Sequence, residues 1–372
     1  MDIFDYLHWR ADVPLSVSPF NDVDNLILCE LVYTDFADVV PNDGSAVSLT
    51  EARDRFFAVH TREEIRERAR YSYTARAPLL MDAMLEGVRF AELKLCWYEA
   101  VTDKDETAQF AAVTFLLPDG TAFVSFRGTD GTVVGWKEDL ILSYRSHTQG
   151  QIRAADYLCR VCAMTDFPIR VGGHSKGGNL AVYAAAFAPE GFYDRLIRVY
   201  NNDGPGFREE VRMLPGYRRI QSKCVCVVPD TSVIGLLLES DCLRRVVRSN
   251  ASGLAQHDGF SWEAGPTEFV PAQLTKTGAY LEKAVDTWVA RQDDQTLRSL
   301  VDSIFTLFEA TGEDTFHSMT TQKRRTAELM MTALRGLPKE KQRELLQATG
   351  QIFTSSGAAA KTLLEESPGN PE

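Results

Sequence analysis

Residues 167–188 read FPIRVGGHSKGGNLAVYAAAFA. The run up to Val171 has the length and apolar content of a buried strand. The alanine-rich run from Asn179 has those of a helix. Only the glycine-rich stretch GGHSKGG lies between them. A strand that passes directly into a helix must turn sharply, and small neighbours keep the two from colliding. Gly173, Ser175 and Gly177 match the G-x-S-x-G nucleophile elbow, while Gly178 and Ala181 keep the first helical turn slim. At such an apex the serine hydroxyl stands above the sheet edge. The helix N-terminus beside it favours developing negative charge. Ser175 is therefore the candidate nucleophile, and a glycine-rich turn holding a structural serine is the plain alternative.

Working outward, short apolar runs at KLCWYEAVT, TAQFAAVTFLLP and TAFVSFRGT predict strands, with LPDGTA as a hairpin turn. FPIRVGG, RLIRVYNND, IQSKCVCVVPD and RRVVRSN continue the strand series. GQIRAADYLCRVCAMT and KGGNLAVYAAAFAPE read as intervening helices. This alternation predicts an α/β fold with a mainly parallel sheet and helices on both faces. Helical patterns precede it, as in NDVDNLILCELVYTDF. They also follow it, from QLTKTGAYLEKAVDTWVARQ to KEKQRELLQATGQIFTSSG. The expected organisation is an N-terminal helical segment over 1–90 packed on the core and a core over 91–266. A C-terminal helical region over 267–361 and a disordered tail over 362–372 complete it.

The composition narrows the partners. Hydrophobic residues make up 44% of the 372, enough to bury a core. The formal net charge is −12, and without a basic block this argues against nucleic acid as the main partner. The opening MDIFDYLHWRADVPL lacks the basic and apolar regions of a secretory signal. No run approaches the ~18 apolar residues of a spanning helix. The expectation is a cytoplasmic protein. Seven scattered cysteines suit reduced thiols better than a disulfide framework. Cys159-x-x-Cys162 has no second pair at zinc spacing, so no metal is expected, and a serine nucleophile needs no organic cofactor.

A serine nucleophile needs a base, and the hydrolase chain order is serine, acid, histidine. His257, in a loop after the last candidate strand, fits that order. His174 adjoins the serine in a tight turn, and His8, His60, His147 and His317 lie elsewhere. The acid holds the imidazole tautomer and stabilises its positive charge. Asp230, after the second strand beyond the elbow, has the usual position. Asp203, one strand earlier, is a known variant, and both stay open. Asp258 adjoins the histidine and is a weaker choice. An oxyanion hole would use the backbone N–H of Lys176 and, from the turn after FVSF, Thr129 with its N–H and hydroxyl.

VSFRGTDGTVVGWKEDL resembles the F-R-G-[ST] plus W-x-x-D-L segment of class 3 lipases, and VGGHSKGGNLAVYAA resembles their G-H-S-x-G-G-x-L-A elbow. With NNDGPGF, VVPDTSVIGLLLE and QHDGFSW, the chain is similar over about residues 20–265 to a bacterial family of lipase-like α/β hydrolases. The resemblance implies a serine hydrolase of esterase or lipase type acting on a small-molecule or lipid ester, with Ser175 as nucleophile and Thr129 and Lys176 at the oxyanion hole. The acid segment lacks the usual proline after the aspartate. Lys176 stands where lipases often carry an apolar residue, which is expected to place a charge at the site mouth. A degenerate hydrolase fold serving as a protein-interaction module is the second expectation.

Overall fold

The structure, a computed structural model, describes residues 1–130, 133–232, 234–276, 278–279, 292–313, 323–345 and 347. Eight strands form one sheet in chain order: β1 (Val47–Ser48), β2 (Lys94–Asp103), β3 (Ala108–Leu116), β4 (Ala122–Phe126), β5 (Ile169–His174), β6 (Leu196–Asn202), β7 (Cys224–Pro229) and β8 (Leu243–Val247). The pairs from β1 to β4 are antiparallel and those from β4 to β8 parallel. The β3–β4 hairpin closes through the turn read from LPDGTA, where Gly120 takes φ +77°. This is an α/β-hydrolase-type sheet, flanked by helices.

Period-two alternation supplies both faces. On β4, Phe123 points to one side with Val113, Phe115, Tyr200, Val225 and Val227. Ala122, Val124 and Phe126 point to the other with Val171 and Val199. Helices α1 (Ile3–Arg10), α2 (Asp22–Leu31), α3 (Leu49–Val59), α4 (Arg62–Ala69) and α5 (Leu79–Met84) precede the main sheet, and all five send side chains into the first cluster. Truncating a fully buried ring such as Phe123 to alanine costs about 3–5 kcal/mol.

α2 matters most for the site. Asn21 caps it in a capping box with Asp24, and every residue from Val23 to Leu31 is buried. Asp24 also meets the buried Arg89 guanidinium, which bonds the carbonyls of Val13 and Ser18. That ties the N-terminal segment to α2 and lays Asn25 and Glu30 beneath the sheet's parallel half.

On the opposite face lie α6 (Val133–Ile141), α7 (Gln149–Met164) and α8 (Lys176–Phe187). The WKEDL stretch lies within α6 and is helical. Leu297, Val301 and Phe305 of the Asp294–Glu309 helix pack on Val133, Ile141 and Tyr144. A second C-terminal helix spans Lys323–Gly336. Most of the helix expected over 273–292, the end of the one over 339–357, His317 and the tail over 362–372 lie outside the described residues.

The expectation of reduced thiols is corrected at one place. Cys224 at the start of β7 forms a disulfide with Cys242, just before β8, with Cα atoms 5.2 Å apart. Adjacent parallel strands bring the two together, a proximity that spacing alone does not reveal. With Cys226 they form the only described cluster of potential metal ligands, and the disulfide uses two of its three sulfurs. Among the described residues no helix is long and apolar enough to cross a membrane.

Candidate active site

The elbow is built as its glycines require. Ser175 adopts φ +57°, ψ −133°, a region that non-glycine residues enter only when their surroundings hold them there. Its N–H donates to Asn202 O at 2.8 Å, and its carbonyl accepts from Gly178 N at 2.9 Å. A Cβ on Gly173 would stand 2.2 Å from the Gly177 backbone, so strand and helix meet there only without side chains.

His257 stands over the serine, at the end of a 3-10 turn spanning Gly253–His257. Its Nε2 lies 2.9 Å from Ser175 Oγ, and its Nδ1 lies 2.7 Å from Asp203 Oδ2. A carboxylate only accepts, so Nδ1 carries the proton and Nε2 is left to accept from the serine hydroxyl. Asp203 follows β6 with φ +50°, and its N–H donates to Val227 O of β7 at 2.8 Å. Its other oxygen accepts from Ser232 Oγ and, at 3.2 Å, from Gly235 N. The imidazole is 13% exposed and the carboxylate fully buried. The arrangement can therefore move a proton from the hydroxyl to the ring and hold the resulting charge.

Of the two acids left open by the sequence, Asp203 meets His257 and Asp230 does not. Asp230 Oδ1 accepts from Gln256 Nε2 at 2.9 Å, so it ties down the residue before the histidine. Gln256 Oε1 also accepts from Thr231 N, and its carbonyl accepts from Trp262 Nε1. Asp258 turns away, toward Arg76 at 3.5 Å. Behind the site, His174 Nε2 lies 2.8 Å from His257 O, with the two rings 4.7 Å apart. On its far side Nδ1 lies 3.2 Å from Glu30 Oε1, with both side chains fully buried. Burial pushes the Glu30 carboxyl well up, and burial with the neighbouring His257 pushes the His174 imidazole well down. Both groups are thereby driven to their neutral forms.

The loop after β4 passes beside the elbow. A Cβ on Gly128 would lie 2.6 Å from His174 O and 3.1 Å from Ser175 Cβ, so the residue before Thr129 must be glycine. Thr129 Oγ1 is 2.6 Å from Asp139 Oδ2. Burial raises Asp139 to about 6, with Lys176 and the Thr129 bond acting in the opposite direction. The expectation for Lys176 is corrected. Its side chain is buried rather than at the mouth, and its Nζ bonds Gln109 O, Gln109 Oε1 and Glu138 Oε2 at 2.8, 2.7 and 2.9 Å. The first turn of α8 faces inward against β3, so the ammonium has no route to the surface. Ser232, Glu30, Glu138 and Asp139 all lie in stretches quoted from the sequence, where none of them carries a role.

Fold and geometry together define a class: an α/β-hydrolase-type sheet with a serine, a histidine and an aspartate hydrogen-bonded in series at the elbow. Within that class the chain belongs to the Mbeg1-like family, whose model matches residues 58–306. No curated protein matches the chain significantly. Among solved structures it is similar to a Rhizomucor miehei lipase–propeptide complex, at 16% identity and TM-score 0.36, over 51% of this chain and 70% of that one. It is also similar to a Rhizopus microsporus var. chinensis lipase, at 14% identity and TM-score 0.35, over 59% and 83%. For the M37 lipase the values are 13% and 0.33, over 57% and 67%.

Proposed function

We propose that the protein is a serine hydrolase of esterase or lipase type that cleaves a carboxylic ester through an acyl-enzyme. One observation carries this reading: His257 bridges Ser175 Oγ at 2.9 Å and Asp203 Oδ2 at 2.7 Å. Ser175 Oγ attacks the ester carbonyl carbon while its proton passes to His257 Nε2. Asp203 keeps the ring in the required tautomer and stabilises the imidazolium. As the tetrahedral intermediate collapses, His257 returns the proton to the leaving alkoxide. Water then attacks the acyl-serine by the same route and releases the acid. The backbone N–H groups of Lys176 and Thr129 would stabilise the oxyanion, since the Thr129 hydroxyl proton is already given to Asp139 Oδ2. With the Lys176 ammonium buried, no cation from that residue stands against an apolar acyl chain.

A fluorophosphonate probe tests the reading. Wild-type protein is expected to gain one covalent phosphonate by intact mass, and Ser175→Ala none. Folded wild-type protein that stays unmodified would contradict it.

A further inference from the structure

Lys176 occupies the first position of α8, directly after Ser175. A cation is electrostatically disfavoured at a helix N-terminus, and burying one is costly unless every donor is met. Here each of the three ammonium donors has a partner: Gln109 O, Gln109 Oε1 and Glu138 Oε2. Glu138 is held as firmly. Its Oε2 also accepts from Gln109 N at 3.1 Å and its Oε1 from Gly150 N at 2.6 Å. Both side chains of the pair are 1% exposed. One ion pair thus joins α8, α6, β3 and the N-terminus of α7.

The position of the pair is informative. Lys176 supplies the backbone N–H proposed for one side of the oxyanion hole. Glu138 is the neighbour of Asp139, whose carboxyl holds the Thr129 hydroxyl of the other side at 2.6 Å. Those two sides follow β4 and β5, which pair in parallel as far as Phe126 and Gly173, and the ion pair adds a second tie beyond that pairing, from α8 to α6. A buried ion pair is weak evidence for stability, since well-packed apolar residues of similar volume often serve as well. It does impose a fixed geometry on what it connects.

We propose that the Lys176–Glu138 pair is a positioning strut that sets the spacing between the two sides of the oxyanion hole. The proposal rests on the serine-hydrolase reading above. The strut contributes to the transition state and leaves substrate binding nearly untouched, because neither side chain reaches the surface.

The test compares wild type with the apolar double variant Lys176→Met/Glu138→Leu, using p-nitrophenyl acetate and p-nitrophenyl butyrate. Thermal melting monitors the fold. The strut predicts a melting temperature near that of wild type and KM within about threefold. It predicts a fall in kcat of about 10²-fold, the scale of a lost oxyanion donor. A folded double variant with unchanged kcat would overturn it. If the double variant does not fold, Glu138→Gln decides. The amide cannot accept from both Gln109 N and Gly150 N, so kcat should fall with KM held, and an unchanged kcat would again overturn the strut. Wild-type protein inert toward both esters and the phosphonate probe would remove the underlying reading, and the strut with it. An active wild type with unaffected variants removes the strut alone.

Discussion

Two histidines flank Ser175, and each faces a carboxyl group. His257 meets Asp203 at 2.7 Å, and His174 lies 3.2 Å from Glu30. Both are histidine–carboxyl pairs, and their settings are opposite. Asp203 has hydrogen-bond donors on its second oxygen, from Ser232 and Gly235, which satisfy a charged carboxylate. Neither Glu30 oxygen has such a donor among the described residues, and burial drives that pair to neutrality. One histidine reaches the serine with its free nitrogen, while the other spends its N–H on the backbone carbonyl of His257. Donors and access, rather than side-chain type, separate a pair suited to proton transfer from one suited to support.

The comparison breaks first at the imidazoles. His257→Ala is expected to lower kcat/KM toward p-nitrophenyl esters by about 10⁴-fold, the scale of losing a triad base. His174→Gln keeps an N–H donor near the His257 carbonyl and should cost about tenfold or less, on the scale of a single support bond. Similar losses in the two variants would erase the distinction between them.

Glu30→Gln sharpens it. A carboxyl already neutral in the fold loses little when replaced by its amide, so activity should stay within about threefold and the melting temperature should hold or rise. A hundredfold loss in steady-state assays would mean that Glu30 works as an anion.

Asp139 offers an intermediate case with a pH signature. Its folded-state value is raised to about 6 from 3.8. Between those values the native state keeps a proton that the unfolded chain has released, so stability falls as pH rises through the window. Asp139→Asn removes that dependence. Its melting temperature relative to wild type should climb from about pH 4 to about pH 6 and then level off. An offset that does not change with pH would contradict the assignment.

Much of this was legible in the chain because it is local. GGHSKGG contains its own reason for turning, and serine, aspartate and histidine follow one another in the required order. The strand and helix alternation gave the sheet for the same reason. The choice of acid was not local. Asp203 reaches His257 through a positive φ and a backbone bond to β7, whereas Asp230, one strand on, reaches only as far as Gln256. Nor could spacing show that Lys176 turns inward, since that depends on β3 and α6 packing against the first turn of α8. The Cys224–Cys242 pairing likewise depends on which strands become neighbours. Glu30 and Glu138 give no local sign of a role until the fold buries them.

The most direct measurement sets Asp203→Asn beside Asp230→Asn and compares their kcat for p-nitrophenyl acetate with wild type. If Asp203 orients the imidazole, its amide variant should lose about 10³–10⁴-fold in kcat while remaining folded. The Asp230 variant, affecting only the Gln256 tether, should lose about tenfold or less. An Asp203→Asn enzyme that turns over at the wild-type rate, or a larger loss in Asp230→Asn, would contradict the account.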